Sequence, residues 1–391
     1  MNELIETPAP GERPVADPRT VEEREIAPYR QLWAGFAAND EERERVAAGG
    51  LVTSLMALAL REGVVDGVVL SRADFSSGDI GHSIDIVTDP DEVQRYGKSV
   101  YFNIPIEREW RRLEQFDGRL GLVGLPCQTR ILRSLQAKGT RLQNVELVVS
   151  LFCGHNNEVD LWHLVLERLG IDRRDIVDMR TNRQYMRGGI ELEKADGRVI
   201  EIPFREFNTF RRLWLFSKDL CRHCPEHLGA EADLSIGDIF IPDFLDANIK
   251  HSSLVVRTPA AEKLVSMAME KGVVSLKEVP ARAIYKAQKP LIVTSGDDKA
   301  RYYANRMFGH KAKKPADGPF RLRAFLSYAL LMGNDRASRT RVGRWAFLKA
   351  PTVLLYGYIK VLNLLKSRLD PIPRERLEGP STDAIEAPRR T

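Results

Sequence analysis

The placement of four cysteines constrains this chain more than any other feature, because they are the only cysteines among its 391 residues. Cys127 and Cys153 each follow an apolar run that predicts a buried strand. Cys221 and Cys224 form a Cys-x-x-Cys pair in a loop between a helical segment and a strand segment. Strand ends at one edge of an α/β sheet are where sites are commonly built, so we expect the four thiols to converge.

Four thiolates can hold either a zinc ion or an iron–sulfur cluster. A structural zinc site usually carries two Cys-x-x-Cys pairs, whereas this chain has one pair and two single cysteines that are separated by 25 and 67 residues. That spacing favours a cluster, but zinc and plain buried thiols remain open from spacing alone. A thioredoxin-like role is not favoured, because that motif normally opens a helix after a strand.

Helical segments alternate with short apolar strands between about residues 41 and 170. This alternation predicts an α/β fold with a mixed, largely parallel sheet and flanking helices. Pro126 is expected to open a helix that runs to about Gln136, since proline suits the first helical turn. An Asp196-Gly197 turn between two alternating stretches predicts a β-hairpin insertion at 188–204.

The expected organisation has four parts. Residues 1–29 are rich in Pro and Glu and predict a disordered tail. Residues 30–294 predict the α/β domain that binds flavin and the iron–sulfur centre, 295–370 a basic helical C-terminal region, and 371–391 a second tail. The first residues do not resemble a signal peptide, and no run of about 20 apolar residues predicts a transmembrane segment. We therefore expect the protein to lie in the cytoplasm, where thiols stay reduced.

The charge is distributed unevenly along the chain, although its net value is only +5. The segment from Lys299 to Arg368 contains 16 Lys and Arg residues and two acids, so it carries +14 and the remainder carries −9. Such a segment can contact an acidic protein, anionic lipid or nucleic acid, or it can be a solvated basic face. Of these we expect peripheral contact with an acidic surface and no nucleic-acid ligand.

A glycine pair, Gly49-Gly50, precedes a strongly apolar helix. The N–H groups and the positive dipole of a helix start favour an anion such as a phosphate, and Thr53 adds a hydroxyl. A simple turn explains the pair equally well, since it is neither the dinucleotide fingerprint nor a Walker loop. Lys98 and Ser99 are suited to contact a phosphate or a flavin ring, or else lie at the surface.

Several motifs follow one another in a fixed order along residues 45 to 290. They are Gly49-Gly50-Leu51-Val52-Thr53, Gly97-Lys98-Ser99, Gly124-Leu125-Pro126-Cys127-Gln128, Leu151-Phe152-Cys153-Gly154, Cys221-Arg222-His223-Cys224 and Ala232-Asp233-Leu234-Ser235-Ile236-Gly237-Asp238. Taken together, this ordered set resembles the family of beta subunits of coenzyme F-420-dependent hydrogenases and dehydrogenases, which are iron–sulfur flavoprotein reductases.

The resemblance implies a 4Fe-4S cluster and FAD in one polypeptide, with coenzyme F-420, a deazaflavin hydride carrier, as a further candidate. No cysteine precedes Cys127, so one cluster is expected. The implied cluster ligands are Cys127, Cys153, Cys221 and Cys224. The implied flavin contacts are Gly49, Gly50 and Thr53, to which the sequence adds Lys98 and Ser99.

The expected function is that of an oxidoreductase that passes electrons between the cluster and FAD, to or from a hydride-accepting substrate or carrier. A ferredoxin or a partner subunit is the expected redox partner. Two alternatives remain open: a non-catalytic electron-transfer or scaffold subunit of a larger complex, and a zinc-stabilised binding protein. The sequence names neither a catalytic residue nor a substrate.

Overall fold

The structure, a computed structural model, describes seven stretches of the chain: 21–139, 141–181, 189–224, 226–245, 249–295, 298–315 and 320–366. The strands in these stretches are β1 (Gln31–Ala37), β2 (Gly67–Asp74), β3 (Gly81–Val87), β4 (Leu120–Gly124), β5 (Val145–Leu151), β6 (Ile176–Thr181), β7 (Ile190–Lys194), β8 (Val199–Ile202), β9 (Leu234–Asp238), β10 (Ser252–Val256) and β11 (Val274–Glu278). The α-helices are α1 (Val21–Ile26), α2 (Asp40–Arg45), α3 (Leu51–Arg61), α4 (Trp110–Glu114), α5 (Pro126–Gln136), α6 (Asp160–Leu169), α7 (Phe204–Arg212), α8 (Pro242–Leu245), α9 (Pro259–Glu270), α10 (Ala281–Ser295), α11 (Asp298–Met307), α12 (Leu322–Ser338), α13 (Arg341–Lys349) and α14 (Thr352–Lys366). Short 3-10 helices lie at Val93–Tyr96, Ile106–Arg108, Arg173–Asp175 and Asp219–Arg222.

The main sheet has eight strands in the order β11-β1-β10-β9-β5-β4-β2-β3. Its four central strands, β9, β5, β4 and β2, run parallel, and the pairings outside them are antiparallel. Parallel neighbours need a crossover connection, which α5 provides between β4 and β5. The carboxyl ends of the central strands therefore meet at one edge of the sheet, and this edge positions the site.

Helices cover both faces of the main sheet. Successive side chains of a strand point to opposite faces, so Val68 packs on the face covered by α3 and α9, and Val69 packs on the face covered by α4 and α5. Leu55 of α3 and Leu132 of α5 are fully buried in these two layers. The layers hold the central strands rigidly between them.

The C-terminal helices share an apolar core with α6 and α7. Trp162 and Phe207 stack with ring centroids 4.2 Å apart, and Tyr328 of α12 is fully buried in the same cluster. Leu362 of α14 belongs to this cluster too. The basic helices are thus packed against the α/β part of the molecule. In the part of the chain that the structure describes, no helix has the length and apolar character needed to cross a membrane.

The predicted fold class is confirmed: the protein is α/β, with a mixed sheet, flanking helices, a hairpin and a helical C-terminal region. Helix α5 begins at Pro126 and ends at Gln136, as its sequence predicts. The hairpin β7-β8 is also present, but β6 extends it to a three-stranded sheet.

The N-terminal boundary differs from the expected one. Helix α1 lies within the predicted tail at 1–29, and Ile26 is fully buried in a cluster with Val255 and Ile284. The burial of this side chain stabilises α1 although the surrounding composition is rich in Pro and Glu. Residues 1–20 of the first predicted tail and the whole second tail, 371–391, lie outside the described residues.

Candidate functional site

The four cysteines lie around one small cavity at the carboxyl edge of the central strands. Cys127 is the second residue of α5, just after β4, and Cys153 lies two residues beyond β5. Cys221 lies in the 3-10 turn at Asp219–Arg222, Cys224 follows this turn, and both line the same cavity. The predicted convergence is therefore what the structure shows, whereas the role of these thiols as ligands stays a prediction.

Backbone hydrogen bonds hold the thiols at this cavity. The N–H of Asn156 points at Cys221 Sγ from 3.4 Å, which is the contact that stabilises a sulfur ligand with negative charge. The N–H of Cys153 donates to the carbonyl of His227 at 3.0 Å, and His227 Nδ1 lies 2.8 Å from the carbonyl of Cys153. These contacts tie the end of β5 to the segment that follows the Cys-x-x-Cys pair.

Burial controls the protonation of the thiols. It raises the pKa of Cys153 well above the ordinary value of 9.0, and the neighbouring cysteines raise the pKa further. Burial also raises the pKa of Cys221 to about 12 and raises the pKa of Cys127. Neutral thiols are thus favoured in the protein alone, and positive charge placed in the cavity favours thiolates.

The arrangement of the sulfur atoms bears on which metal they suit. Among the described residues, no group of three or more His, Cys, Asp or Glu side chains is placed to hold a metal ion. A single zinc ion needs every sulfur about 2.3 Å away, which brings the sulfur atoms close together. In a 4Fe-4S cluster each thiolate binds a different iron, so the four ligands stand farther apart. The four thiols at one cavity are a donor set that either group can use, and the choice of a cluster stays a prediction.

A buried ion pair fixes the Cys-x-x-Cys loop against α12. Arg222, between the two cysteines, pairs with Asp335, and both are almost inaccessible to solvent. Asp335 Oδ1 also accepts the N–H of Ser217 at 2.9 Å. From α11, Arg301 Nη1 donates to the carbonyl of Cys224 at 2.6 Å, and Asn305 Nδ2 donates to that of Arg222 at 3.2 Å. The C-terminal helices thus hold the loop that carries two of the four thiols.

The segment before this loop has an unusual backbone. The backbone at Trp214 and Phe216 adopts left-handed conformations with φ of 63° and 50°, which residues other than glycine rarely adopt. Such conformations cost about 1–2 kcal/mol each and persist where the surroundings enforce them. The indole of Trp214 stacks on His155 with centroids 4.5 Å apart, and both residues line the sulfur cavity.

A second and larger cavity, of about 300 Å³, opens beside the first. Four of the five predicted flavin contacts line it: Gly50, Thr53, Lys98 and Ser99. Gly49 is not among the residues that line this cavity, and its role as a flavin contact stays a prediction. Its N–H donates to Ser252 Oγ at 3.3 Å, and its carbonyl accepts the N–H of Ala37 at 2.7 Å.

The start of α3 forms one wall of the large cavity. Gly50 precedes the helix with φ of 78°, which glycine adopts without strain. The N–H groups of the first turn, at Leu51–Thr53, have no partner within the helix and border the cavity. At Gly97 a Cβ atom would lie 3.0 Å from Thr53 Oγ1 and closer still to Val46, so only glycine leaves this wall open. The wall suits an anionic group such as a phosphate.

Lys98 reaches the cavity rim while it is bound to Asp178. Its Nζ lies 2.6 and 2.7 Å from the two carboxylate oxygens. Burial raises the pKa of Asp178, but the hydrogen bonds and the charge of Lys98 outweigh burial, so its pKa lies below the ordinary value of 3.8. Asp178 is a residue of β6, so this strand holds the side chain of Lys98 at the cavity rim instead of leaving it extended into solvent.

The two cavities share a wall. Five residues line both of them: Leu125, Cys153, Gly154, His155 and Asn156. They come from the ends of β4 and β5. A group in the large cavity would therefore lie next to a group held by the thiols.

Sequence reasoning missed several residues of this site. Arg211 and Asp238 line the large cavity, and Asp238 Oδ1 lies 3.5 Å from the buried Nζ of Lys250. Asp238 ends β9, and the position of an acid at a strand end was a usable signal. Arg211 lies on α7, and Asp335 lies 113 residues beyond its partner Arg222, so neither carried a local signal.

The fold and the two cavities define an α/β protein with a sulfur-lined cavity next to a cavity suited to a phosphate-bearing ligand. Two family models match the chain: the N-terminal part of the coenzyme F420 hydrogenase/dehydrogenase beta subunit at residues 32–108 and its C-terminal part at 117–282. Together the matches cover more than half of the chain. The chain belongs to the family of coenzyme F420 hydrogenase/dehydrogenase beta subunits, which confirms the resemblance of its motifs.

Individual relatives are similar at low identity. A component of the F(420)H(2) dehydrogenase of Methanosarcina mazei is 23% identical over 239 residues, which are 60% of this chain and 62% of that protein. The coenzyme F420 hydrogenase subunit beta of Methanothermobacter thermautotrophicus is 23% identical over 261 residues, 65% of this chain and 86% of the relative. The chain thus spans less than two thirds of the first relative.

A solved structure supports the fold. One chain in the F420-reducing NiFe hydrogenase complex from Methanosarcina barkeri superposes with a TM-score of 0.59 at 17% identity, over 76% of this chain and 100% of the other. At this identity the likeness concerns the fold alone.

Replacing Asp335 by Asn should destabilise the protein strongly. The substitution removes the buried carboxylate that pairs with Arg222 and leaves this guanidinium only its ion pair with the exposed Asp219, which costs about 2 kcal/mol or more in free energy of unfolding. Urea unfolding followed by circular dichroism measures the change. Asp172→Asn, at an exposed ion pair with Arg174, is the matched control and should leave the unfolding curve unchanged. An Asp335→Asn protein as stable as the control would contradict the role of the pair.

Asp178 should stabilise the fold in a pH-dependent way. Because its folded pKa is depressed below 3.8, the stabilisation is present above that pH and is lost as pH falls through the folded pKa. We expect the difference in free energy of unfolding between wild type and Asp178→Asn to be constant near neutral pH and to shrink below about pH 4. Urea titrations over a series of pH values test this. A difference that does not change with pH would show that Asp178 acts through shape alone.

Proposed function

We propose that this protein is an iron–sulfur flavoprotein oxidoreductase, which passes electrons between a 4Fe-4S cluster held by Cys127, Cys153, Cys221 and Cys224 and an FAD in the adjoining cavity. A hydride-accepting substrate or carrier, such as a deazaflavin, exchanges electrons with the flavin. The observation that carries this proposal is the shared wall between the sulfur cavity and the cavity at the start of α3. Membership of the family supports it.

When bound, a flavin exchanges a hydride and a cluster exchanges single electrons. The chain supplies the surroundings for both. The N–H of Asn156 and the backbone contacts of Cys153 orient two of the sulfur ligands and lower the cost of their negative charge. The thiols are half-buried in a cavity that Trp214 and Tyr328 also line, so they are kept from bulk water. Exclusion of water also influences the reduction potential of a bound cluster.

The large cavity offers cations and N–H groups to an anionic ligand. The first turn of α3, with Thr53, suits a phosphate, and Lys98 and Arg211 add positive charge to the cavity wall. Tyr101 and Phe152 provide aromatic surface against which a flat ring can pack. Ser99, beside Lys98, and Gly49, next to Gly50, complete the proposed contact set.

Redox partners follow from the names of the relatives. One relative is by name part of a dehydrogenase and another is the beta subunit of a hydrogenase, and the structural neighbour is a chain of a hydrogenase complex. We propose that a partner subunit or a ferredoxin exchanges electrons with this chain. A non-catalytic electron-transfer subunit is the second candidate, because the same observations favour membership of a complex without requiring turnover. Catalytic reduction of added coenzyme F420 by the purified protein, with excess reduced ferredoxin as the electron donor, separates the two.

Replacing Cys221 by Ser should remove most of the iron. Wild-type protein purified anaerobically is expected to contain about four iron and four sulfide ions per chain, because four thiolates enclose one cluster. Iron and sulfide analysis with visible absorbance measures the loss in Cys221→Ser and Cys127→Ser. Ser134→Ala, an exposed position on α5, is the control and should keep its iron. One zinc and no iron in the wild type would overturn the cluster and favour a zinc-stabilised binding protein.

Replacing Thr53 by Val should weaken FAD binding. The substitution preserves the shape of the side chain and removes one hydroxyl, which corresponds to about a threefold to tenfold rise in Kd. Titration of flavin-free protein with FAD, followed by flavin fluorescence, measures the affinity. Thr88→Val is the control because Thr88 is exposed and far from the cavity lining. Unchanged affinity in Thr53→Val would place the flavin elsewhere.

A further inference from the structure

Large exposed apolar side chains are concentrated in one part of the molecule. Of the 18 found among the described residues, 12 lie between Tyr303 and Leu364. A folded protein rarely leaves many apolar side chains together in water, so this concentration marks a contact surface. The segment lies beyond both matched regions of the family, 32–108 and 117–282.

Helix α14 is apolar on two opposite sides. Its inner side packs into the protein through Leu355, Ile359 and Leu362, which are at most 5% exposed. Its outer side carries Val353 at 72% and Leu364 at 68% exposure. A surface helix normally carries polar residues on its outer side, so this helix has a second, uncovered apolar face.

Neighbouring helices continue this exposed surface. Helix α12 exposes Leu322, Leu326 and Leu330 at four-residue intervals, and it packs against α14 through a hydrogen bond from Ser327 Oγ to the carbonyl of Leu362. Helix α13, none of whose residues is buried, exposes Trp345 at 62%. We call the following set the outer face: Leu322, Leu326, Leu330, Val342, Trp345, Val353, Leu354, Val361 and Leu364.

Positive charge accompanies the outer face. Arg323, Arg341, Lys349 and Lys360 are exposed on the same three helices. In the described residues from 299 onward, Asp335 is the sole acid, and it is buried against Arg222. An acid from another element, Glu167 of α6, pairs with Arg344. The outer face therefore presents apolar side chains among cations. Asp335, the acid of α12, is buried and does not offset their charge.

We propose that the outer face binds the surface of an anionic lipid bilayer, with the helices lying in the interface. Apolar side chains enter the boundary between headgroups and acyl chains, and the surrounding cations contact anionic headgroups. Trp345, among basic residues, suits the headgroup level, where indole rings are favoured. The segment 299–368 carries a net charge of +14, against −9 for the rest of the chain, so a negative surface attracts this segment.

The composition of the outer face favours lipid over an acidic protein. Protein interfaces are depleted in Lys at their core and fill pockets with a few aromatic anchors. Here the exposed residues are mostly aliphatic and spread along three helices, with Lys349 and Lys360 among them. Such a distribution suits a fluid surface that needs no matching pockets.

Vesicle sedimentation with the full chain tests the proposal. We expect binding to phosphatidylcholine vesicles that contain phosphatidylglycerol, and much weaker binding to phosphatidylcholine alone or at high salt. Lys349→Glu and Lys360→Glu should each weaken binding about fivefold or more. Leu354→Ser with Leu364→Ser should weaken it further, and both positions are exposed, so the fold should survive.

Matched controls come from exposed residues outside the outer face. Val177→Ser and Val199→Ser alter exposed apolar residues of the three-stranded sheet, and Lys138→Glu reverses an exposed charge after α5. These variants should bind vesicles as wild type does. A blue shift of tryptophan fluorescence on vesicle addition should disappear in Trp345→Phe.

Several outcomes would overturn the proposal. One is the absence of binding to anionic vesicles, and another is binding that the outer-face variants leave unchanged. Dimerisation on size-exclusion chromatography that Leu354→Ser with Leu364→Ser abolishes, without vesicle binding, would assign the outer face to a second copy of the chain. None of these measurements depends on bound iron or flavin, so the result stands apart from the proposed redox function.

Discussion

The buried ion pair between Arg222 and Asp335 is the contact on which the candidate site depends most. Each charge loses several kcal/mol of hydration, so the pair is tolerated only because hydrogen bonds complete it, from the N–H of Ser217 and from Arg339 Nε to Asp335. A displacement of the Cys-x-x-Cys loop would separate these two buried charges and leave each with a more exposed partner, Asp219 for Arg222 and Arg339 for Asp335. The loop therefore occupies one position relative to α12, and its two thiols face those at the strand ends from a fixed direction.

The thiols at the strand ends are fixed by a different constraint. Cys127 and Cys153 follow adjacent parallel strands, so the sheet itself sets their separation. Four consecutive residues from Cys153 to Asn156 then form the wall between the two cavities. Because one strand end serves both cavities, a change in backbone position here alters both at once. This shared strand end explains how two cavities fit at one sheet edge.

The parts of the structure that were predictable from the sequence have local signals. Pro126 marks the start of α5, and the apolar runs mark β4 and β5, so the convergence of two thiols followed from strand direction alone. Strand β1 was missed, because it is paired with β10 and β11, more than 200 residues away, and its residues show no clear alternation. The hydrogen bonds of Gly49 to Ser252 and Ala37 were also not predictable, because no pattern near Gly49 indicates either partner.

The C-terminal helices show why composition and periodicity cannot assign the two sides of such a helix. Their basic charge was visible in the sequence, but α14 carries apolar residues on two opposite sides, so its hydrophobic pattern does not say which side is buried. Only packing distinguishes Leu362, which faces Ser327 of α12, from the exposed Leu364. Helix α12 consequently has two roles on different sides. Its Asp335 holds the Cys-x-x-Cys loop, while its exposed leucines belong to the outer face, so any surface that binds these leucines lies one helix away from the thiol-bearing loop.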